Sequence, residues 1–210
     1  AEFWDDLQLC RGRKLAVGKE GSGTRALATM LLHENGITDG SDDTTLLPLS
    51  GEEAATALAE GEIDVAFFVV SPRSPVVRRL LNTPRINLVD FRRASAYCTK
   101  YRYLRTVTLH EGLLDFETNL PDGDLKLLAP TASLVARSDL HPALTPLLLR
   151  AASRVHYEGG YLESTGEFPS MDRVDFPIAE GARRHFLRGP SPLFRYLPFL
   201  VNFARTAAEQ

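Results

Sequence analysis

The chain has 210 residues, of which 44% are hydrophobic and 24% charged, and its net charge is −3. That is enough apolar material for one sizeable core or two small lobes. A pI near 6.0 and arginines scattered without an aromatic-interleaved basic stripe exclude the usual signature of a nucleic-acid partner.

No segment reaches the roughly 18 apolar residues that span a bilayer. The opening Ala1-Glu2-Phe3-Trp4-Asp5-Asp6 has neither the basic start nor the apolar run of an export signal. Cys10 and Cys98 show no CxxC or zinc spacing, so they read as two unpaired thiols or, in an exported protein, as a disulfide. No metal site and no cofactor are expected.

In chain order, residues 15–17 predict a short apolar strand and residues 25–34 a helix stopped by Asn35-Gly36. Residues 44–49 predict a second strand. Ser50 with Glu53 three positions on predicts a capping box, and residues 54–59 supply the apolar face of the helix that follows, up to Gly61. Residues 63–70, Ile-Asp-Val-Ala-Phe-Phe-Val-Val, read as a strand buried on both faces. A short helix over 75–81, a strand over 86–89 and a tyrosine-rich helix over 94–104 complete an alternation of strands and helices. Such an alternation predicts βαβ units and a mostly parallel sheet flanked by helices. Residues 125–136 then predict an extended crossing segment with strand at both ends, and His141-Pro142 opens an apolar helix reaching His156.

The chemistry concentrates in one place. Between the first strand and its helix, Gly18-Lys19-Glu20-Gly21-Ser22-Gly23-Thr24-Arg25 combines two close glycines, Gly21 and Gly23, with hydroxyls and a guanidinium. The amides that open a helix lack internal partners and sit at the positive end of its dipole. Ser22, Gly23, Thr24 and Arg25 are therefore the candidate cradle for a carboxylate or phosphate; the plainer reading is a strand-turn-helix junction capped by Thr24. At the end of the central strand, Ser71 is a candidate donor to the same crevice, the plainer reading being a helix start capped by Ser74. Tyr97 and Tyr101 lie four apart on one helix face, so Tyr101 is a candidate to line the cleft; otherwise both rings pack on the sheet.

The ordered set of segments resembles a known family. Gly12-Arg13-Lys14-Leu15-Ala16-Val17-Gly18 with Gly21-Ser22-Gly23-Thr24, then Gly61-Glu62-Ile63-Asp64-Val65-Ala66-Phe67-Phe68, then Thr131-Ala132-Ser133-Leu134-Val135-Ala136-Arg137, is similar to the second lobe and return segment of the TAXI family. These are extracytoplasmic solute receptors of TRAP transporters. The tail, with Gly166-Glu167-Phe168-Pro169 and Arg195-Tyr196-Leu197-Pro198-Phe199, resembles a subgroup anchored by a C-terminal membrane helix. The resemblance implies a type 2 periplasmic-binding-protein fold with only one lobe complete. It places the ligand-binding lobe at residues 12–125, and the return segment and C-terminal helical part at 126–204. It also implies a periplasmic, membrane-attached receptor for a small carboxylate-bearing solute, an amino acid or dicarboxylate-like, recognised by TRAP membrane subunits, without enzymatic chemistry. The chain is then expected to be a piece or processed form of a longer receptor.

Two other readings use the same fold. A sugar-phosphate enzyme would hold a phosphate on the glycine loop, but His33, His110, His141, His156 and His185 fall in no catalytic spacing. An effector-sensing domain of a regulator would need a fused DNA-binding segment. Finally, Leu193, Phe194, Leu197, Leu200, Val201 and Ala204 form a helical stripe. It is expected either to close the lobe or to approach a membrane anchor, and in the latter case an isolated piece is expected to self-associate through residues 190–204 or to be poorly ordered there.

Overall fold

The computed structural model describes residues 6–172, 174 and 176–189. The chain divides into two compact units, Ala1–Ala129 and Pro130–Gln210.

The first unit is built on strand β1, Lys14–Ala16. Strand β2, Thr45–Leu47, and strand β3, Val65–Ala66, flank it in a parallel sheet of order β2-β1-β3. Leu15 pairs with Leu46 on one side and Val65 on the other, and Ala16 with Leu47 and Ala66. Helices α1, Gly23–Glu34, and α2, Gly51–Glu60, make the crossovers, and α3, Pro75–Leu81, follows β3.

Successive side chains of a strand point to opposite faces, and β1 uses both. Leu15 and Val17 pack with Ala28, Leu31 and Leu32 of α1, whereas Ala16 packs with Ala54 and Ala57 of α2 and with Ile63. Leu15, Ala16 and Val17 are fully buried. The alanine face of α2 suits the alanine at the middle of β1, because small residues on both sides let helix and sheet approach closely. Further along, α4, Ala94–Lys100, contributes Tyr97 to the α1 side, and strand β4, Leu104–Leu109, contributes Leu104. Strand β5, Leu125–Pro130, joins β4 in a two-stranded sheet. The fold is thus α/β, with a parallel sheet flanked by helices, as a partial periplasmic-binding-protein-like domain requires.

Several expected elements differ. The apolar run 63–70 keeps only Val65–Ala66 in the ladder, and Val69 and Val70 are 37% and 50% exposed. The cause is position: after Phe67 N donates to Ala16 O at 2.9 Å, the neighbouring chain turns away at Gly18, whose amide donates to Leu49 O. No described strand lies on the outer side of β3. Residues 86–89 form no strand; the chain is instead tied to β5, with Phe91 N donating to Lys126 O and Lys126 N to Asp90 Oδ1.

The tyrosine-rich helix ends at Lys100, since Leu104, Val107 and Leu109 bury in β4 among β-branched neighbours that favour a strand. Past β5, residues 131–137 carry no regular structure, so strand forms at one end of that segment only. The expected capping box is absent. Ser50 is the N-cap of α2 but makes no side-chain cap bond, and Glu53 reaches sideways to Lys19 at 3.1 Å.

In the second unit, α5, Leu144–His156, packs on α6, Glu180–Arg188. The stripe at 193–204 lies outside the described residues. No helix among the described residues is long and apolar enough to cross a membrane.

Candidate functional site

Parallel strands deliver their following loops to one sheet edge, and here the loops that lead to α1, α2 and α3 follow β1, β2 and β3 in turn. The loop after β1 is the most organised. Gly18 stands at φ +93°, a conformation L side chains rarely adopt, and it is buried. A Cβ there would sit 2.9 Å from Ser22 Oγ, 3.1 Å from Arg25 N and 3.1 Å from Thr24 Cβ. The loop therefore closes on the bare face of Gly18. Gly21 also has positive φ, +76°, but open space around it; Gly23 is helical and likewise open. The glycine that the loop depends on most is the one at the strand end.

Ser22, not Thr24, caps α1. Its hydroxyl accepts from Arg25 N at 3.2 Å and donates to Lys19 O at 2.6 Å. The Ser22 carbonyl accepts from Ala26 N at 3.1 Å. The amides of Gly23 and Thr24, and the Thr24 hydroxyl, have no partner among the described residues. They form the donor end of a twelve-residue helix. Arg25 folds its guanidinium back, Nη1 donating to Gly18 O at 3.3 Å, which holds the cation beside the loop. Lys19 is held by Glu53 of α2 across an exposed ion pair. Chemically the arrangement offers two amides, one hydroxyl and a nearby cation to an anion, with Ser22 serving to shape the turn.

The other expected site residues are placed differently. Ser71 follows β3 at the same sheet edge, exposed, and its hydroxyl accepts from Arg73 N at 3.3 Å. Ser74 is the N-cap of α3 but makes no side-chain cap bond. Tyr101 is the C-cap of α4, and its hydroxyl donates to Glu34 Oε1 at 2.7 Å. Glu34 is the last residue of α1, so Tyr101 stands about 17 Å along that helix from Gly23. The loop and Tyr101 are at opposite ends. Tyr97 is buried against the α1 side of the sheet, 7% exposed.

Glu34, Lys100 and Tyr101 form a hydrogen-bonded group of their own. Bonds from Lys100 and then Tyr101 hold the Glu34 carboxyl below its ordinary range. The bond to Glu34 raises both Lys100 and Tyr101. A depressed carboxylate stabilises the fold above its unfolded pKa of about 4.3, and that stabilisation disappears as pH falls through the folded value. The raised Lys100 and Tyr101 stabilise below about pH 10 and lose the effect as pH climbs through their folded values. Glu34→Gln is therefore expected to flatten the acid limb, seen as a smaller drop in urea midpoint between about pH 5 and about pH 3 than in the wild type. An unchanged drop would remove Glu34 from the acid response.

Three of the five histidines make local contacts: His141 Nδ1 accepts from Ala143 N at 3.3 Å before α5, His110 pairs with Asp124 at 3.2 Å, and His156 meets the Phe168 ring edge-on. No group of three or more His, Cys, Asp or Glu among the described residues could hold a metal ion. Cys10, in the core, and Cys98, packed against it, stand as thiols rather than as a disulfide.

A parallel βαβ sheet whose loops gather at one edge is an open α/β lobe of the ligand-binding kind, and it is consistent with a partial periplasmic-binding-protein-like domain. Residues 4–152 match the model of the NMT1-like family, and the chain belongs to that family. It is a periplasmic-binding-protein-like family, and membership suggests an extracytoplasmic, solute-binding role. No curated protein matches the chain.

Proposed function

We propose that this chain is the ligand-binding part of an extracytoplasmic solute receptor of the TAXI type, serving a TRAP transporter. Its solute is a small metabolite with a carboxylate, an amino acid or a dicarboxylate-like compound. The carboxylate sits on the amides of Gly23 and Thr24 and the Thr24 hydroxyl, with Arg25 beside it and Ser71 approaching from the loop after β3. Residues 12–125 make the ligand-binding lobe, and 126–204 the return segment and C-terminal part. Hinge closure around the solute then presents the closed form to the membrane subunits.

What carries the reading is the pair of amides at the start of α1, left without a protein partner at the loop edge of a parallel sheet. A charge-assisted hydrogen bond contributes roughly 1.5–3 kcal/mol, so losing one weakens binding about tenfold to a hundredfold. Mass spectrometry of the protein as purified, followed by calorimetry with the compound found, identifies the solute. Thr24→Val and Arg25→Ala are each expected to weaken it by that factor. Tyr101→Phe is expected to leave it unchanged, being at the far end of α1. Unchanged affinity in both loop variants would refute the site, and saturable binding of inorganic phosphate alone would favour a phosphate-handling protein.

A further inference from the structure

The fold makes two demands at the end of α1, and together they create a chemically labile pair. Gly36 stands at φ +68°, with Arg11 Nη2 3.3 Å from where a Cβ would lie, so the position takes glycine. Asn35 before it is used as an amide. Its Nδ2 donates to Leu31 O and to the Tyr97 hydroxyl of α4, and its Oδ1 accepts from Nη2 of Arg93, the N-cap of α4. The result is an Asn-Gly pair, which occurs once in the chain.

In an open chain that pair reacts with itself. The Gly36 nitrogen gives its proton to water and attacks Asn35 Cγ, closing a five-membered succinimide. The Cγ–Nδ2 bond breaks, and the nitrogen takes up a proton and leaves as ammonia. Water then opens the ring at either carbonyl, which yields aspartate or its β-linked isomer. Glycine favours the attack because no side chain hinders it or restricts the backbone rotation it needs.

Three features of the fold oppose the reaction here. The Gly36 amide, which must attack, donates to His33 O at 2.9 Å, and Ile37 N holds Leu32 O at 2.9 Å just beyond it. At ψ 10° the Asn35 backbone turns the Gly36 nitrogen away from the side chain. Both ends of the side-chain amide are held, and the residue is buried. Every one of these partners lies in the first unit.

We propose that Asn35-Gly36 is a deamidation site kept silent by the clasp between α1 and α4, and that it reacts only when the end of α1 detaches. The product does not rebuild the clasp. A carboxylate at position 35 accepts hydrogen bonds but donates none, so it would face the Leu31 carbonyl without a proton to offer. The β-linked isomer also adds a carbon to the main chain. Each opening that reacts is therefore recorded permanently, whatever solute the loop after β1 binds.

The test incubates the full chain at mildly alkaline pH, in buffer and in concentrated urea. Digestion and mass spectrometry then follow the peptide that contains Asn35. Reaction tracks the open fraction, so the rate in buffer is expected to lie about a hundredfold or more below the rate in urea. Tyr97→Phe removes one bond to Nδ2 and should raise the rate in buffer about twofold to tenfold, with the rate in urea unchanged. Ile63→Val, which loosens the α2 side of the sheet, should leave both rates as they are. The proposal is overturned if Asn35 reacts as fast in buffer as in urea, if it stays intact in urea, or if Tyr97→Phe changes nothing. Equal acceleration by Ile63→Val and Tyr97→Phe would also overturn it, since the site would then open only with the whole unit. Asn35→Asp, one of the two products, should lower the urea midpoint; a midpoint equal to the wild type's would show that the clasp re-forms and remove the permanent record.

Discussion

Gly18→Ala is expected to be among the most damaging single substitutions in the loop edge of the sheet. At φ +93° an L residue is strained, and the new Cβ would fall 2.9 Å from Ser22 Oγ and 3.1 Å from Arg25 N. Left-handed strain costs about 1–2 kcal/mol, and loss of the Ser22 cap about 1 kcal/mol more. A total of about 2–3 kcal/mol should appear in the urea midpoint. Because the same atoms form the candidate anion site, solute affinity should fall together with stability. The neighbouring glycines give the control. Gly21→Ala meets open space and is expected to lose only about 1 kcal/mol to its positive φ. Gly23→Ala, helical and open, should be neutral or stabilising by up to about 1 kcal/mol. If the three glycines rank otherwise, the loop does not close on Gly18.

Asn35→Leu is the second substitution with a large expected effect. Asn35 ends α1 and is 7% exposed. Its Nδ2 donates to Leu31 O and to the Tyr97 hydroxyl, each at 2.7 Å, and its Oδ1 accepts from Arg93 Nη2. Its own carbonyl accepts from Arg11 Nη2 at 2.8 Å, and Arg11 in turn pairs with Asp42. One side chain thus ties the end of α1 to α4, and leucine can make none of these side-chain bonds. Losing two neutral bonds and one to a cation in a buried setting is expected to cost about 3 kcal/mol. Thermal unfolding of the variant measures it. A loss below about 1 kcal/mol would show that the cluster is replaceable by packing.

Sequence by itself determined the order of β1, α1, β2, α2, β3 and α3, because each strand is a short apolar run closed by glycine, proline or a capping serine. Leu15-Ala16-Val17 could only be buried, and Asn35-Gly36 and Gly61 could only end helices; the structure agrees at each. The loop Gly18–Arg25 was legible as a donor-rich strand-to-helix turn for the same local reason. Tertiary structure decided the rest, because it depended on neighbours distant in the chain. Residues 63–70 are apolar enough to be buried on both faces, yet β3 is an outer strand of the sheet among the described residues, and Val69 and Val70 beyond it are exposed. Glu53 is spaced to complete a capping box, yet Lys19 from another loop takes its carboxylate. Tyr101 has the right chemistry for a cleft, yet Glu34 takes its hydroxyl at the far end of α1. Local spacing sets what a residue is able to do; which partner stands within reach is set by the packing of segments that adjoin only in the folded chain.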